Sequence, residues 1–145
     1  FSTFNFLILL YFVKLEIVIP EERVYEDTID SIVIPTSSGE IDILPGHIPL
    51  VTEVEPGEII VSKSGERQSL AISKGFAQCV GDKISILAEG AIHIDEIDAS
   101  AVEDAQRRAE ESLATMEKMS DEEIAMLETQ IAYARAQLLI KQKRS

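Results

Sequence analysis

Residues 39–50 read Gly39-Glu40-Ile41-Asp42-Ile43-Leu44-Pro45-Gly46-His47-Ile48-Pro49-Leu50. Ile41 and Ile43 alternate with polar residues, the period of a strand with one buried face. Pro45-Gly46 then stops the pairing and turns the backbone, because proline fixes φ and lacks an amide donor while glycine reaches positive φ. Pro49 fixes a second φ and pushes Ile48 toward extended geometry. The stretch is a strand that ends in a rigid corner, with Glu40, Asp42 and His47 at defined places on it. Two readings of the corner stand together: a link between strands, or a loop that presents its polar groups to another surface.

Strand signals continue on both sides, from Val13 to about Glu89. The run 13–19 alternates and ends at Pro20, and β-branched residues carry the chain through Ile29, Ile32, Val33 and Ile34 up to Pro35. Thr36-Ser37-Ser38-Gly39 reads as a turn, and Pro56-Gly57 breaks the strand that follows Pro49. Lys63-Ser64-Gly65-Glu66 and Gly81-Asp82 each sit between two apolar runs, as hairpin turns do. Many short strands with regular turn punctuation indicate an antiparallel sandwich or barrel.

At about Ile97 the period changes. Val102, Ala105, Ala109, Leu113 and Met116 recur at spacings of three and four, which predicts a helix with one apolar stripe. Asp98 or Ser100 caps its start, with Glu103 completing a Ser-x-x-Glu box. Ser120-Asp121-Glu122-Glu123 predicts a second capped helix, striped by Ile124, Leu127, Ile131, Ala134 and Leu138. Lys141, Lys143 and Arg144 close it, where positive charge complements the helix dipole. The pair reads as an antiparallel two-helix hairpin. No Gly or Pro interrupts residues 91–145. The chain therefore divides into a β domain over 13–92 and a helical hairpin over 93–145. At roughly 25 cal/mol per Å², an Ala-rich seam stabilises such a pair by only a few kcal/mol. The hairpin needs a further surface, either the β domain or a partner.

The 145 residues include 26 acidic and 13 basic ones, a formal net charge of −13 that argues against binding phosphate backbones or anionic lipid. A hydrophobic content of 46% suffices for a proper core. Cys79 is the one cysteine, so no disulfide forms within the chain, and its apolar run makes it a core residue that suits a reducing compartment. Residues 1–12 are apolar and aromatic, too short to span a bilayer and without a basic start or cleavage site. They read as an atypical N-terminal extension or a misplaced start, with a membrane-docking tail as the weaker alternative.

Sites of chemistry are scarce. The chain has no phosphate-binding glycine loop and no dinucleotide fingerprint. His47 and His93 have no second His or Cys at ligand spacing, which argues against a zinc site. The carboxylates from Glu89 to Glu128 fall off the apolar stripes and read as solvated helix faces. No cofactor is expected. The pattern favours an interaction or regulatory protein over a small enzyme with a helical lid.

The run Gly39-Glu40-Ile41 to Leu50 resembles the signature loop of the F-type ATP synthase epsilon subunit family. Leu15-Glu16-Ile17-Val18, Pro56-Gly57-Glu58, Gly75-Phe76-Ala77 and Ile94-Asp95-Glu96-Ile97-Asp98 extend the resemblance, in order, over 13–145. It implies a fold of the α+β class: an N-terminal antiparallel β-sandwich of about ten strands followed by a C-terminal two-helix hairpin. It implies a non-catalytic rotor subunit of the bacterial type, peripheral on the cytoplasmic face of the inner membrane. Its partners would be the gamma subunit, the ring of c subunits and, when the hairpin extends, the alpha/beta catalytic head, where the hairpin restrains ATP hydrolysis. Membrane contact would be only through the complex, and no nucleic acid is implied. A free-standing binding module using the hairpin as a coiled-coil adaptor is the alternative.

By the same resemblance, Glu40, Asp42 and His47 would face the c ring, with Asp42 where many members carry glycine. Arg135, Lys141, Lys143 and Arg144 would form an inhibitory basic end. Some members bind ATP through an Ile/Leu-Asp-x-x-Arg-Ala motif. Here Ile97, Asp98 and Ala101 leave it degenerate, since Ala101 stands where the arginine would and the phosphates lose a bidentate partner. Arg107, Arg108 and Arg135 remain as cations elsewhere. No nucleotide site is expected.

Overall fold

Alternating apolar residues need a second layer to cover them, and here two sheets cover each other. A computed structural model describes residues 12–46 and 49–144. Ten strands follow in order: β1 (Val13–Val18), β2 (Arg23–Ile29), β3 (Ser31–Thr36), β4 (Gly39–Ile43), β5 (Leu50–Val54), β6 (Gly57–Lys63), β7 (Glu66–Ile72), β8 (Gly75–Val80), β9 (Lys83–Ala88) and β10 (Ala91–His93). One sheet has the order β2-β1-β9-β8-β5 and the other β10-β7-β6-β3-β4. Residues 1–11, which make up nearly all of the expected N-terminal extension, lie outside the described residues, as do His47 and Ile48.

The inner faces are dominated by isoleucine. Leu15 and Ile17 of β1, Ile32 and Ile34 of β3, Ile59 of β6 and Ile84 and Ile86 of β9 are all buried in one core. Branched side chains stack well on pleated surfaces, so this composition and this architecture support each other. Cys79 lies in the same core, and burial pushes its thiol up, away from nucleophilic chemistry.

Two local features differ from the sequence reading. The pairing is antiparallel throughout the described strands except for β1 with β9, which run parallel, with Leu15 opposite Ile84 and Ile17 opposite Ile86. Hairpins yield only antiparallel neighbours, whereas these two strands meet after a long excursion through the other sheet. Strand β3 also continues through Pro35 to Thr36, because β6 pairs with it only as far as Val33. The missing donor of Pro35 therefore falls where β3 has lost a neighbour. The Ser64-Gly65 turn matches expectation, with φ of 52° and 79° at the two central residues.

Helix α1 (Ala99–Thr115) and helix α2 (Asp121–Arg144) follow a short 3-10 turn at Ile94–Glu96. Of the two candidate caps for α1, Asp98 is used: its Oδ1 accepts from the Ala101 amide at 3.2 Å. Ser100 lies already inside the helix, so the proposed box with Glu103 does not form at the start. Ser120 does cap α2, its Oγ accepting from the Glu123 amide at 3.1 Å and contacting Glu123 Oε1 at 3.2 Å. Met116 drops out of the α1 stripe because the helix has ended at Thr115, and its side chain is 56% exposed.

The second surface that the hairpin needs is the outer face of β7. Leu70 and Ile72 point into the sandwich, whereas Ala71 points out and is nonetheless fully buried beneath α2. Ile97 and Ile140 share this seat, with Ile92, Val102, Tyr133 and Ala136 packed around them. Helix α2 is thus apolar in two directions, toward α1 through Ile131 and Ala134 and toward the sheet through Ala136 and Ile140.

Gly75 marks a close approach within the sandwich. It lies opposite Ala88, and a Cβ there would stand 2.1 Å from the carbonyl oxygen of Leu87. Gly75→Ala is expected to destabilise the protein by about 1–3 kcal/mol, as overpacking against backbone does. The check is a lower denaturant midpoint at unchanged slope. An unchanged midpoint would mean that β8 and β9 spread freely at this point.

Candidate functional site

Glu40 and Asp42 stand two residues apart on β4, so both project from the same face, while Ile43 is buried on the other. In register they lie opposite Pro35 and Val33. Strand β4 is an edge, and both carboxylates are exposed. After Ile43 the chain turns at Pro45-Gly46, with Gly46 at φ 80°, and crosses to β5, the edge of the other sheet. The corner is therefore a bridge between sheet edges that also carries two carboxylates and the 55% exposed Leu44. His47, the third expected member, lies outside the described residues.

The four basic residues of the C-terminal helix separate into one and three. Arg135 pairs across the hairpin with Glu110 at 3.6 Å. Lys141 Nζ donates to the Ile94 carbonyl at 3.1 Å. Arg144 forms a bidentate pair with Glu58, Nε to Oε2 at 2.9 Å and Nη2 to Oε1 at 3.1 Å. Lys143 Nζ adds a looser contact at 3.8 Å to Glu58 Oε1. Glu58 sits on β6 directly opposite Ala71, and its side chain is only 14% exposed. Burial pushes its carboxyl up, but Arg144, Ser69 and Lys143 together outweigh that and hold it below the usual value. Arg144 is raised in turn, chiefly by its hydrogen bonds to Glu58. Sequence reasoning named Glu58 only within the Pro56-Gly57-Glu58 run and gave it no partner, because Arg144 lies 86 positions away and no local pattern joins them.

A cleft of about 410 Å³ lies between the helices and β10, at the degenerate motif. Ala101, Val102, Ala105 and Ala134 give it an apolar lining, with Tyr133, Gln130 and Gln137, and its charged groups are the carboxylates of Glu96 and Asp98. The Asp98 carboxylate is spent on the helix cap. Burial pushes the Tyr133 hydroxyl up to about 12. Arg107 pairs with Asp104 at 3.0 Å, and neither it, Arg108 nor Arg135 lines the cleft. A polyphosphate would meet two carboxylates there and no guanidinium.

On the opposite side of the sandwich, Phe76 lies beside Leu87, and Leu87 beside Val18, in one outward row across β8, β9 and β1. Phe76 and Leu87 are 58% and 60% exposed, and further along the same face, around Gln78, Val51 and Val80 are 71% and 53% exposed. This apolar face was not noted in the sequence, although its signal, apolar residues at both parities of a strand, is present at 76–80.

Ten strands in two sheets, with a helical hairpin folded against one of them, define a sandwich-plus-hairpin class of chain. The family described as "ATP synthase, Delta/Epsilon chain, beta-sandwich domain" matches residues 12–94. The chain is 43% identical over 102 residues to the ATP synthase epsilon chain of Koribacter versatilis, covering 70% of this chain and 72% of that one. It is 34% identical over 132 residues to that of Herpetosiphon aurantiacus, covering 91% and 96%. In fold it matches a chain of the Euglena gracilis mitochondrial ATP synthase OSCP/F1/c-ring structure, with TM-score 0.70, 22% identity, and coverage of 92% of this chain and 82% of that one. A chain of the Tetrahymena thermophila mitochondrial ATP synthase central stalk and c ring gives TM-score 0.62 at 11% identity, covering 89% and 96%. This chain belongs to the ATP synthase delta/epsilon family. No described helix is long and apolar enough to cross a membrane.

The lowered pKa of Glu58 sets a pH dependence for hairpin docking. The stabilisation that its carboxylate supplies is fully present above its ordinary 4.5 and is lost as pH falls through the lower folded-state value. Methyl NMR signals of Ile140 and Ala71 should therefore move toward undocked positions below pH 4.5, before the sandwich core responds. Methyl shifts that stay constant until global unfolding would rule out the tie.

Proposed function

We propose that this chain is a non-catalytic central-stalk subunit that couples proton translocation to ATP synthesis and restrains ATP hydrolysis through its hairpin. The observation that carries this reading is the division of labour between the two sheets. One outer face holds the hairpin by a seat in which Ala71 and Ala136 meet Ile92, Ile97, Tyr133 and Ile140, with ion pairs at the chain end. The other leaves Phe76, Leu87, Val51 and Val80 bare. The β domain over 13–92 is the rotor contact and the hairpin over 93–145 the regulatory element.

The bare face suits the gamma subunit, since an exposed apolar row rimmed by polar residues is the form of a protein interface. Glu40 and Asp42, with His47, face the c ring at the corner between the sheets. The subunit then lies on the cytoplasmic face of the bacterial plasma membrane and meets the membrane only through the complex. The matched assemblies are an OSCP/F1/c-ring structure and a central stalk with its c ring, and relatives carry the name ATP synthase epsilon chain, which supports the same placement. When the hairpin extends, Arg135, Lys141, Lys143 and Arg144 reach the alpha/beta head. Nucleotide is not proposed as a ligand, because the cleft at Ala101 lacks cations.

Two experiments test this reading on the assembled enzyme. Ending the chain after Ile97 should raise ATP hydrolysis while rotor assembly stays intact; unchanged hydrolysis across ATP concentrations would sink the inhibitory role. Glu40→Lys with Asp42→Lys should weaken rotor assembly or proton coupling, each reversal costing on the order of 1 kcal/mol at a contact surface. Unchanged coupling and salt sensitivity in reconstituted vesicles would remove the c ring from this corner.

A further inference from the structure

Among the described ion pairs, Glu58 is the least exposed carboxylate, at 14% against 20% for Glu16. It is also the one that ties the end of the chain to the sandwich, and it takes two cations, Arg144 and Lys143. Because it faces out beside Ala71, the tie borders the seat on which α2 rests. That seat sets Ala71 and Ala136 among Ile92, Ile97, Tyr133 and Ile140, and the ionic tie at its border adds a charge-dependent hold on the end of the helix to this apolar contact.

We propose that Glu58 is the catch of a charge-operated latch: it occupies Arg144 and Lys143 while the hairpin is folded, and the hairpin is released when a competing acidic surface or salt takes those cations. The proposal rests on the reading above that the hairpin moves. Glu58 holds the Nε/Nη2 edge of Arg144 and draws Lys143 as well, so an outside acidic surface must compete with a partly buried carboxylate for these cations before the tail leaves the sandwich. Lys141 has a different part. Its acceptor is the Ile94 carbonyl, a neutral group whose bond is weaker and less sensitive to salt.

The arrangement also ranks the substitutions. Glu58→Gln removes the acceptor charge for both cations and keeps the shape of the side chain. Arg144→Gln leaves Lys143 within reach, so its effect is smaller. Screening by salt weakens an ionic tie, whereas apolar packing is not weakened by it, which separates a latch from a packing defect.

The test is amide exchange over residues 131–140 of the full-length isolated protein at neutral pH, well inside α2. Raising NaCl from about 0.05 M to about 1 M shrinks the screening length severalfold and should speed exchange in the natural protein. Glu58→Gln should speed it roughly three- to tenfold at low salt, in line with a bidentate, partly buried pair, and should reduce the response to salt to what the Arg135–Glu110 pair supplies. Glu58→Arg combined with Arg144→Glu should recover most of the protection. If Glu58→Gln leaves both protection and salt response as in the natural protein, Glu58 is not the catch. In the assembled enzyme Glu58→Gln should lower ATP hydrolysis. Faster exchange with hydrolysis unmoved by either Glu58→Gln or truncation after Ile97 would uphold the catch and overturn the inhibitory role of the hairpin.

Discussion

The contact between Ala71 and helix α2 is the constraint on which the architecture turns. A residue on the outer face of a central strand is ordinarily solvated, yet Ala71 is completely buried. A longer side chain there would hold the helix off the sheet and separate Ile140 and Ala136 from their neighbours. Gly90 serves the same approach, since a Cβ at that position would stand 2.7 Å from the Tyr133 ring. Small residues under a helix permit closeness but contribute little apolar area. The seat is therefore specific in geometry, its apolar area comes from Ile92, Ile97, Tyr133 and Ile140, and the ion pairs at the chain end add to it.

This balance explains why one chain has two such unlike outer faces. The hairpin covers β6 and β7 and leaves β5, β8 and β9 open. Strand β8 carries Phe76, Gln78 and Val80 outward, a mixture that a solvated sheet would not favour. With a formal charge of −13, the chain repels other acidic surfaces in general, so an apolar patch is a selective way to recruit a neighbour. The cations near the C-terminus stand against that background, and most of them are already engaged within the chain.

Much of the architecture was legible because its signals are local. The alternation from Val13 to Val18, the Ser64-Gly65 turn and the Ser120 cap on the Glu123 amide each act through neighbouring backbone, and each is present where it was read. What stayed hidden depends on distant partners. Nothing near Val13 announces β9 as a parallel neighbour, and Pro35 reads as a stop until it is known that β6 has already left β3. The two-sided burial of α2 was blurred because positions 131, 134, 136 and 140 together do not form a single stripe. At the candidate site, Glu40 and Asp42 were visible as polar positions on a braced strand, whereas Glu58 became significant only through Arg144.

The parallel pair β1–β9 also sets how far the first sheet depends on distant contacts. Strand β1 lies inside its sheet, between β2 and β9, but β9 is made some 70 positions after it. Strands β1 and β2 form one local ribbon, and β3 with β4 and β6 with β7 form others in the second sheet. The inner edge of β1 is covered only where Leu15 and Ile17 meet Ile84 and Ile86, the pairing of widest sequence separation in its sheet. Loop-closure entropy opposes such a distant contact, which makes this seam the slow kind of pairing. A chain cut short of β9 would leave an open strand edge in the middle of that sheet.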